Sequence, residues 1–293
     1  MGLVKVLVAW LGCGWVAGCA GPRGAQPVAS APVTIPLQPL RKNLRTVTVK
    51  VGAETGTFLV DTAGGLSLFS PTFAKKVGCE PWGRITGFFM MGDRIDSPQC
   101  NDLRIEVAGL TLQAPVVAVL DIMASFSKDA EPLDGVLSLD VFAGQALTLD
   151  VGGNQLIVET PASLAERTRT MREGQARIGR EVQGAALSVF TAARTPKGLA
   201  WFELDSGNGG TLLMSRHVAP TLGLDPQVEQ PQPARFELVG GVPVEGNFHV
   251  KEMIIDGNLG MPFLSKWRVT LDLARSRVWF QPGSTVEIVP TAR

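Results

Sequence analysis

Residues 58–65 read FLVDTAGG, and residues 202–210 read FELDSGNGG. Each stretch places an aromatic residue three positions before an aspartate. Threonine or serine follows the aspartate, and the chain then turns on glycine. The likeness runs on: Ser67-Leu68-Phe69 succeeds the first stretch and Thr211-Leu212-Leu213 the second. Each segment then reaches a glycine, Gly78 or Gly223, after a helix-like run. A second block repeats without gaps. Residues 134–158, DGVLSLDVFAGQALTLDVGGNQLIV, lie over residues 256–280, DGNLGMPFLSKWRVTLDLARSRVWF. Two blocks repeated in the same order divide the chain into two related halves. Two copies of about a hundred residues each are lobes of one protein, not turns of a solenoid.

The local pattern in each half is β. Thr46 to Val51 alternates, with Val47, Val49 and Val51 on one face, and a turn over Gly52–Gly56 leads into Thr57–Val60. In the second half Leu187–Phe190, a Thr195–Gly198 turn and Leu199–Leu204 make the matching hairpin. Each aspartate therefore stands just beyond the second strand of a hairpin, in a loop that glycine lets turn tightly. Further strands are predicted at Leu103–Val107, Thr111–Leu120, Leu147–Val151 and Val269–Leu273, and short helices at Pro71–Val77 and Arg216–Leu222. Asp134-Gly135 and Asp256-Gly257 read as turns. Asp150 and Asp272 read as structural residues in or at the end of strands, and His217 and His249 as surface or packing residues.

Composition narrows the function. The 293 residues carry 27 Lys plus Arg against 27 Asp plus Glu, so there is no basic field for nucleic acid. With 45% hydrophobic and 18% charged residues the chain is globular. Its 33 glycines and 20 prolines suit short strands joined by turns, so an all-β fold is expected. GxSxG, GK[ST] and HExxH are all missing from the sequence. With two histidines and no CxxC, neither a metal nor a cofactor is expected.

The first eighteen residues carry a short n-region with Lys5 and an apolar run from Val6 to Val16, too short to span a bilayer comfortably. Val16-Ala17-Gly18-Cys19 resembles a bacterial lipoprotein signal, in which Cys19 is lipidated; the alternative is an ordinary secretory signal with an incidental cysteine. Ala20 after the cysteine resembles sorting to the outer membrane, with the body facing the periplasm. Residues 19–43 are expected to be a tether rich in proline, alanine and glycine. Cys79 and Cys100 are then left as an even pair, either a disulfide or two buried thiols.

Hydrophobic-hydrophobic-Asp-Thr/Ser-Gly with a distal Asp-Gly-x-Leu-Gly resembles the aspartic peptidases, specifically the bacterial retropepsin-like group. Two copies in one chain look like the bilobal, pepsin-type arrangement. The resemblance covers about 46–158 and 185–280 and implies two homologous barrel-like lobes, 44–160 and 184–293, with a cleft between them and a polar connector at 161–183. It further implies that Asp61 and Asp205 share one proton and activate a water between them. Thr62 and Ser206 would bond across the lobe interface, with Gly207 completing the second triplet. Gly87–Gly92 occupies the place of a flap. Phe88, Phe89, Met90 and Met91 either grip an extended polypeptide or belong to the core.

Two residues depart from the pattern: Ala63 replaces the glycine of the first triplet, and Ser138 the glycine of the first distal block. The chain also has no tyrosine, the usual flap residue of pepsin-like enzymes. An aspartic-type endopeptidase, monomeric because both aspartates share one chain, is the first functional expectation. An inactive peptide-binding or assembly module in the cell envelope is the second.

Overall fold

The computed structural model describes residues 31–126 and 130–284. Cys19, the segment before it and residues 20–30 lie outside those described. Strands dominate, and they close into the same circuit twice. In the first lobe the order is Arg45–Val51, Glu54–Asp61, Gly135–Ser138, Leu68–Phe69, Leu110–Val119 and Arg94–Val107. The last strand returns to the first through Lys50 and Glu106. In the second lobe Ser188–Thr195, Gly198–Leu204, Gly257–Leu259, Leu212–Ser215, Val242–Lys251 and Gln232–Leu238 follow the same route. Ala193 and Leu238 close it. The chain is all-β, with two barrel-like lobes of the aspartic-peptidase type and a cleft between them.

The axis relating the lobes is visible in a single strand pair. Ala146–Asp150 runs antiparallel to Trp267–Asp272, and Thr148 pairs with Thr270, its own equivalent in the repeat. The two hydroxyl oxygens lie 2.8 Å apart. Antiparallel strands that meet at equivalent residues must be exchanged by a two-fold rotation there. Asp150 and Asp272 end these strands as structural groups. Asp150 binds Gly153 N at 3.0 Å and pairs with Arg268, while Asp272 accepts from Ala274 N and Arg275 N, both at 3.1 Å.

Four sequence expectations need correction. The tether ends before residue 33, because Val33–Pro36 pairs with Gln155–Glu159 and buries Ile35 and Leu37, apolar residues that a solvated tether would leave in water. The expected connector is not a plain surface link: it opens with an α-helix at Pro161–Thr168. Its later part, Arg172–Gly179, is a strand between Arg277–Pro282 and Ser188–Thr195. Helix over 216–222 shrinks to a 3-10 turn at Ala219–Leu222, ended by Gly223 at φ 81°, whereas Pro71–Lys76 is α-helical as expected. Gly135 and Gly257 open short strands in place of turns. A Cβ on either would strike the ring of Phe58 or Phe202, which explains why the repeat keeps the aromatic and the distal glycine together.

Cys79 and Cys100 form a disulfide with Cα atoms 6.2 Å apart, tying the end of the Pro71–Lys76 helix to the long strand Arg94–Val107.

Candidate functional site

Asp61 ends strand Glu54–Asp61, and Asp205 directly follows Gly198–Leu204. Each carboxylate accepts from the backbone two residues on: Ala63 N to Asp61 Oδ1 at 2.9 Å, and Gly207 N to Asp205 Oδ1 at 2.8 Å. The alanine of the first triplet thus keeps the turn that glycine makes in the second. Both aspartates line the floor of the interlobe cleft.

The loops are locked by a reciprocal set of bonds. Thr62 N donates to Ser206 Oγ at 3.0 Å, and Ser206 N donates to Thr62 Oγ1 at 3.0 Å. Each hydroxyl then donates onward into the opposite lobe, Thr62 to Leu204 O at 2.6 Å and Ser206 to Val60 O at 2.8 Å. All four groups are buried, so each bond also removes a desolvation penalty. Gly207 is required here, because a Cβ on it would lie against the Asp61 carboxylate, 2.8 Å from Oδ1.

Burial, then the negative charge of Asp205, pushes Asp61 up to about 7. Burial also raises Asp205, but Asn258, Asn208 and Gly207 donate to it and restrain the rise. Asn258 gives Asp205 a side-chain donor beyond the backbone N–H groups that serve both carboxyls, and the raised titration belongs to the pair.

A third carboxyl group, which the sequence reading missed, lies beside them. Glu203 is buried in the cleft wall, where burial and then the charge of Asp205 push it up to about 8. Asn258, also missed, donates to Asp205 Oδ2 at 2.7 Å and to Glu203 Oε2 at 3.4 Å. The signal for both was available: Glu203 stands where the first half has Leu59, and Asn258 where it has Val136.

Strands Trp82–Phe88 and Arg94–Val107 form the flap hairpin, its tip closed by Phe89 N to Asp93 O at 2.8 Å. Phe88 and Phe89 are 55% and 51% exposed, and Met91 is exposed as well, which excludes the core alternative for them. Phe88, Phe89 and Met90 line the cleft, and Met90 O accepts from Ile254 N of the opposite lobe at 3.0 Å. The cleft encloses about 400 Å³. His217 is a surface residue 2.8 Å from Asp256, far from this chemistry in role. Among the described residues no cluster of His, Cys, Asp and Glu is placed to hold a metal ion. No helix among them is long and apolar enough to cross a membrane.

No protein-family model and no curated protein matches the chain. Solved structures do. Basic 7S globulin from soybean aligns with a TM-score of 0.56 at 11% identity, over 88% of this chain and 96% of that one. Conglutin gamma, a basic 7S globulin from lupine seeds, aligns with a TM-score of 0.53 at 12% identity, over 86% and 95%. At that identity the likeness concerns the fold: both lobes and their arrangement are shared across nearly the whole of each chain.

Proposed function

We propose that the protein is an aspartic-type endopeptidase acting on extended polypeptide. The observation that carries this is the Asp61–Asp205 pair, Asp205 buried and Asp61 half-buried on the cleft, both with raised proton affinity and held by the Thr62–Ser206 lock. Peptide hydrolysis needs a base to activate water and an acid to protonate the carbonyl oxygen. Asp205, held as an anion by its three donors, takes a proton from a water between the carboxylates. Asp61 gives its proton to the carbonyl oxygen as the tetrahedral centre forms. The exposed Phe88 and Phe89 close an apolar roof over the substrate. We place the mature chain, as a monomer, on the outer membrane through a lipid on Cys19, facing the periplasm.

One observation favours a second reading. The two solved structures reported above are named as globulins. On that reading the same cleft holds a peptide or assembles with one, without cutting it.

Incubating the 20–293 form with an unfolded protein between pH 4 and 7 separates the two. Cleavage that disappears in both Asp61→Asn and Asp205→Asn supports the peptidase, with non-additive losses because the pair acts as one unit. Cleavage that survives in either variant rules the dyad out. Binding of an extended peptide without cleavage by the unaltered protein establishes the second reading.

A further inference from the structure

The two lobes are related by rotation, but three mirrored positions beside the dyad differ in chemistry. On the first-lobe side Leu44, Leu59 and Val136 pack with Ile122 and Leu133 into a small apolar cluster. Leu59 and Val136 reach the cleft surface. The positions that mirror the first three in the second lobe are Ser188, Glu203 and Asn258. Every one has become polar. They act together, since Ser188 and Asn258 both hydrogen-bond the Glu203 carboxyl.

Burying a carboxyl group where the mirrored lobe buries leucine is costly without a compensating partner. Ser188 and Asn258 orient the group but supply no charge. Among the described residues the cleft lining contains four acidic side chains, Asp61, Glu181, Glu203 and Asp205, and no lysine, arginine or histidine. Its acidic side chains beyond the dyad, Glu181 and Glu203, both come from the second-lobe half of the chain. The wall thus has oriented acceptors for a cation and, among the described residues, no cation of its own.

The geometry points to a substrate with a bulky apolar side chain on the first-lobe side of the dyad and a lysine or arginine side chain on the other. Glu203 is the specificity-determining residue of that second subsite. This deepens the peptide-cleft reading above and rests on it. A basic side chain entering the subsite exchanges water for the Glu203 carboxylate, and the proton that Glu203 held in the empty cleft leaves to solvent. A neutral isostere leaves the carboxyl group protonated and gains only packing.

The test uses peptides with Phe-Lys or Lys-Phe at the central position, each matched to a norleucine peptide of the same length. Kd is read for uncleavable hydroxyethylene analogues and kcat/KM for the cleavable forms. In one of the two orders lysine should bind and react about tenfold better than norleucine. That ratio should fall to about one in Glu203→Leu, which copies Leu59, and in the isosteric Glu203→Gln, whose melting curve checks folding. Equal use of lysine and norleucine in both orders overturns the proposal. So does a lysine preference that both variants retain. A lysine-dependent Kd without hydrolysis would instead keep this subsite and discard the peptidase.

Discussion

Ser138 Oγ occupies the space that a side chain at position 64 would need: a Cβ built on Gly64 would overlap it, and would lie 3.3 Å from the Asp61 carboxylate. The second lobe solves the same problem in reverse. There the mirrored positions hold Asn208 and Gly260, and a Cβ on Gly260 would come 2.5 Å from Thr211 O, 2.6 Å from Asn208 O and 2.7 Å from Asn208 Cγ. In each pair the larger side chain stands against a glycine, and at Gly260 the backbone carbonyls exclude a Cβ as well. Ser138 is therefore accommodated in space by Gly64, although its Oγ is buried without a hydrogen-bond partner.

Gly64→Ala alone is expected to displace Asp61 and lose about 1–3 kcal/mol by overpacking, with a large drop in any hydrolysis. Adding Ser138→Gly should restore most of both. Urea unfolding of the single and double variants measures the coupling, and simple additivity would refute the pairing.

The two triplet positions should respond unequally. Gly207→Ala puts a methyl group against Asp61 and should abolish cleavage. Ala63→Gly should leave activity unchanged or raise it, since Ala63 N already makes its 2.9 Å bond to Asp61. Steady-state kinetics on one peptide compare them.

Thr62→Val removes the bond to Leu204 O and leaves Ser206 N without its buried acceptor. A loss of roughly 2–4 kcal/mol is expected, because an unpaired buried donor keeps its full desolvation cost. Thr62→Ser should recover most of it, as thermal unfolding will read.

The raised carboxyls set the pH dependence of stability. Glu203, at about 8, and Asp61, at about 7, hold protons in the folded state that the unfolded chain releases near pH 4. The folded state then binds more protons across that window. Stability is full below about pH 4 from these groups and declines as pH rises through 7 to 8. Glu203→Gln should flatten the upper part of the decline, worth roughly 1–3 kcal/mol at pH 9. Unfolding midpoints from pH 5 to 9 test this, and an unchanged slope in the variant would count against the buried carboxyl. Any hydrolysis should fade as pH rises through about 7, when the shared proton is lost.

The repeat was legible in the residues themselves. An aspartate at a hairpin end and a distal Asp-Gly block, each present twice, require two like lobes and place Asp61 opposite Asp205. The alternation of Val47, Val49 and Val51 marks a strand because a period of two follows from the pleat alone. What folding together decided lies where the halves differ or where distant segments meet. Val33–Pro36 looks like linker until Gln155–Glu159 supplies its hydrogen bonds. Phe88 and Phe89 have the composition of a core, and only the hairpin's reach over the cleft leaves them exposed. Ser138 departs from the glycine of the repeat, and the residue it packs against, Gly64, is 74 positions away in the chain. Glu203 is unremarkable as a strand residue; the charge of Asp205, two positions on, is a near neighbour in the chain, but the burial that chiefly raises its proton affinity arises only on folding. Local pattern depends on neighbours along the chain, whereas packing, pairing and proton affinity depend on neighbours in space.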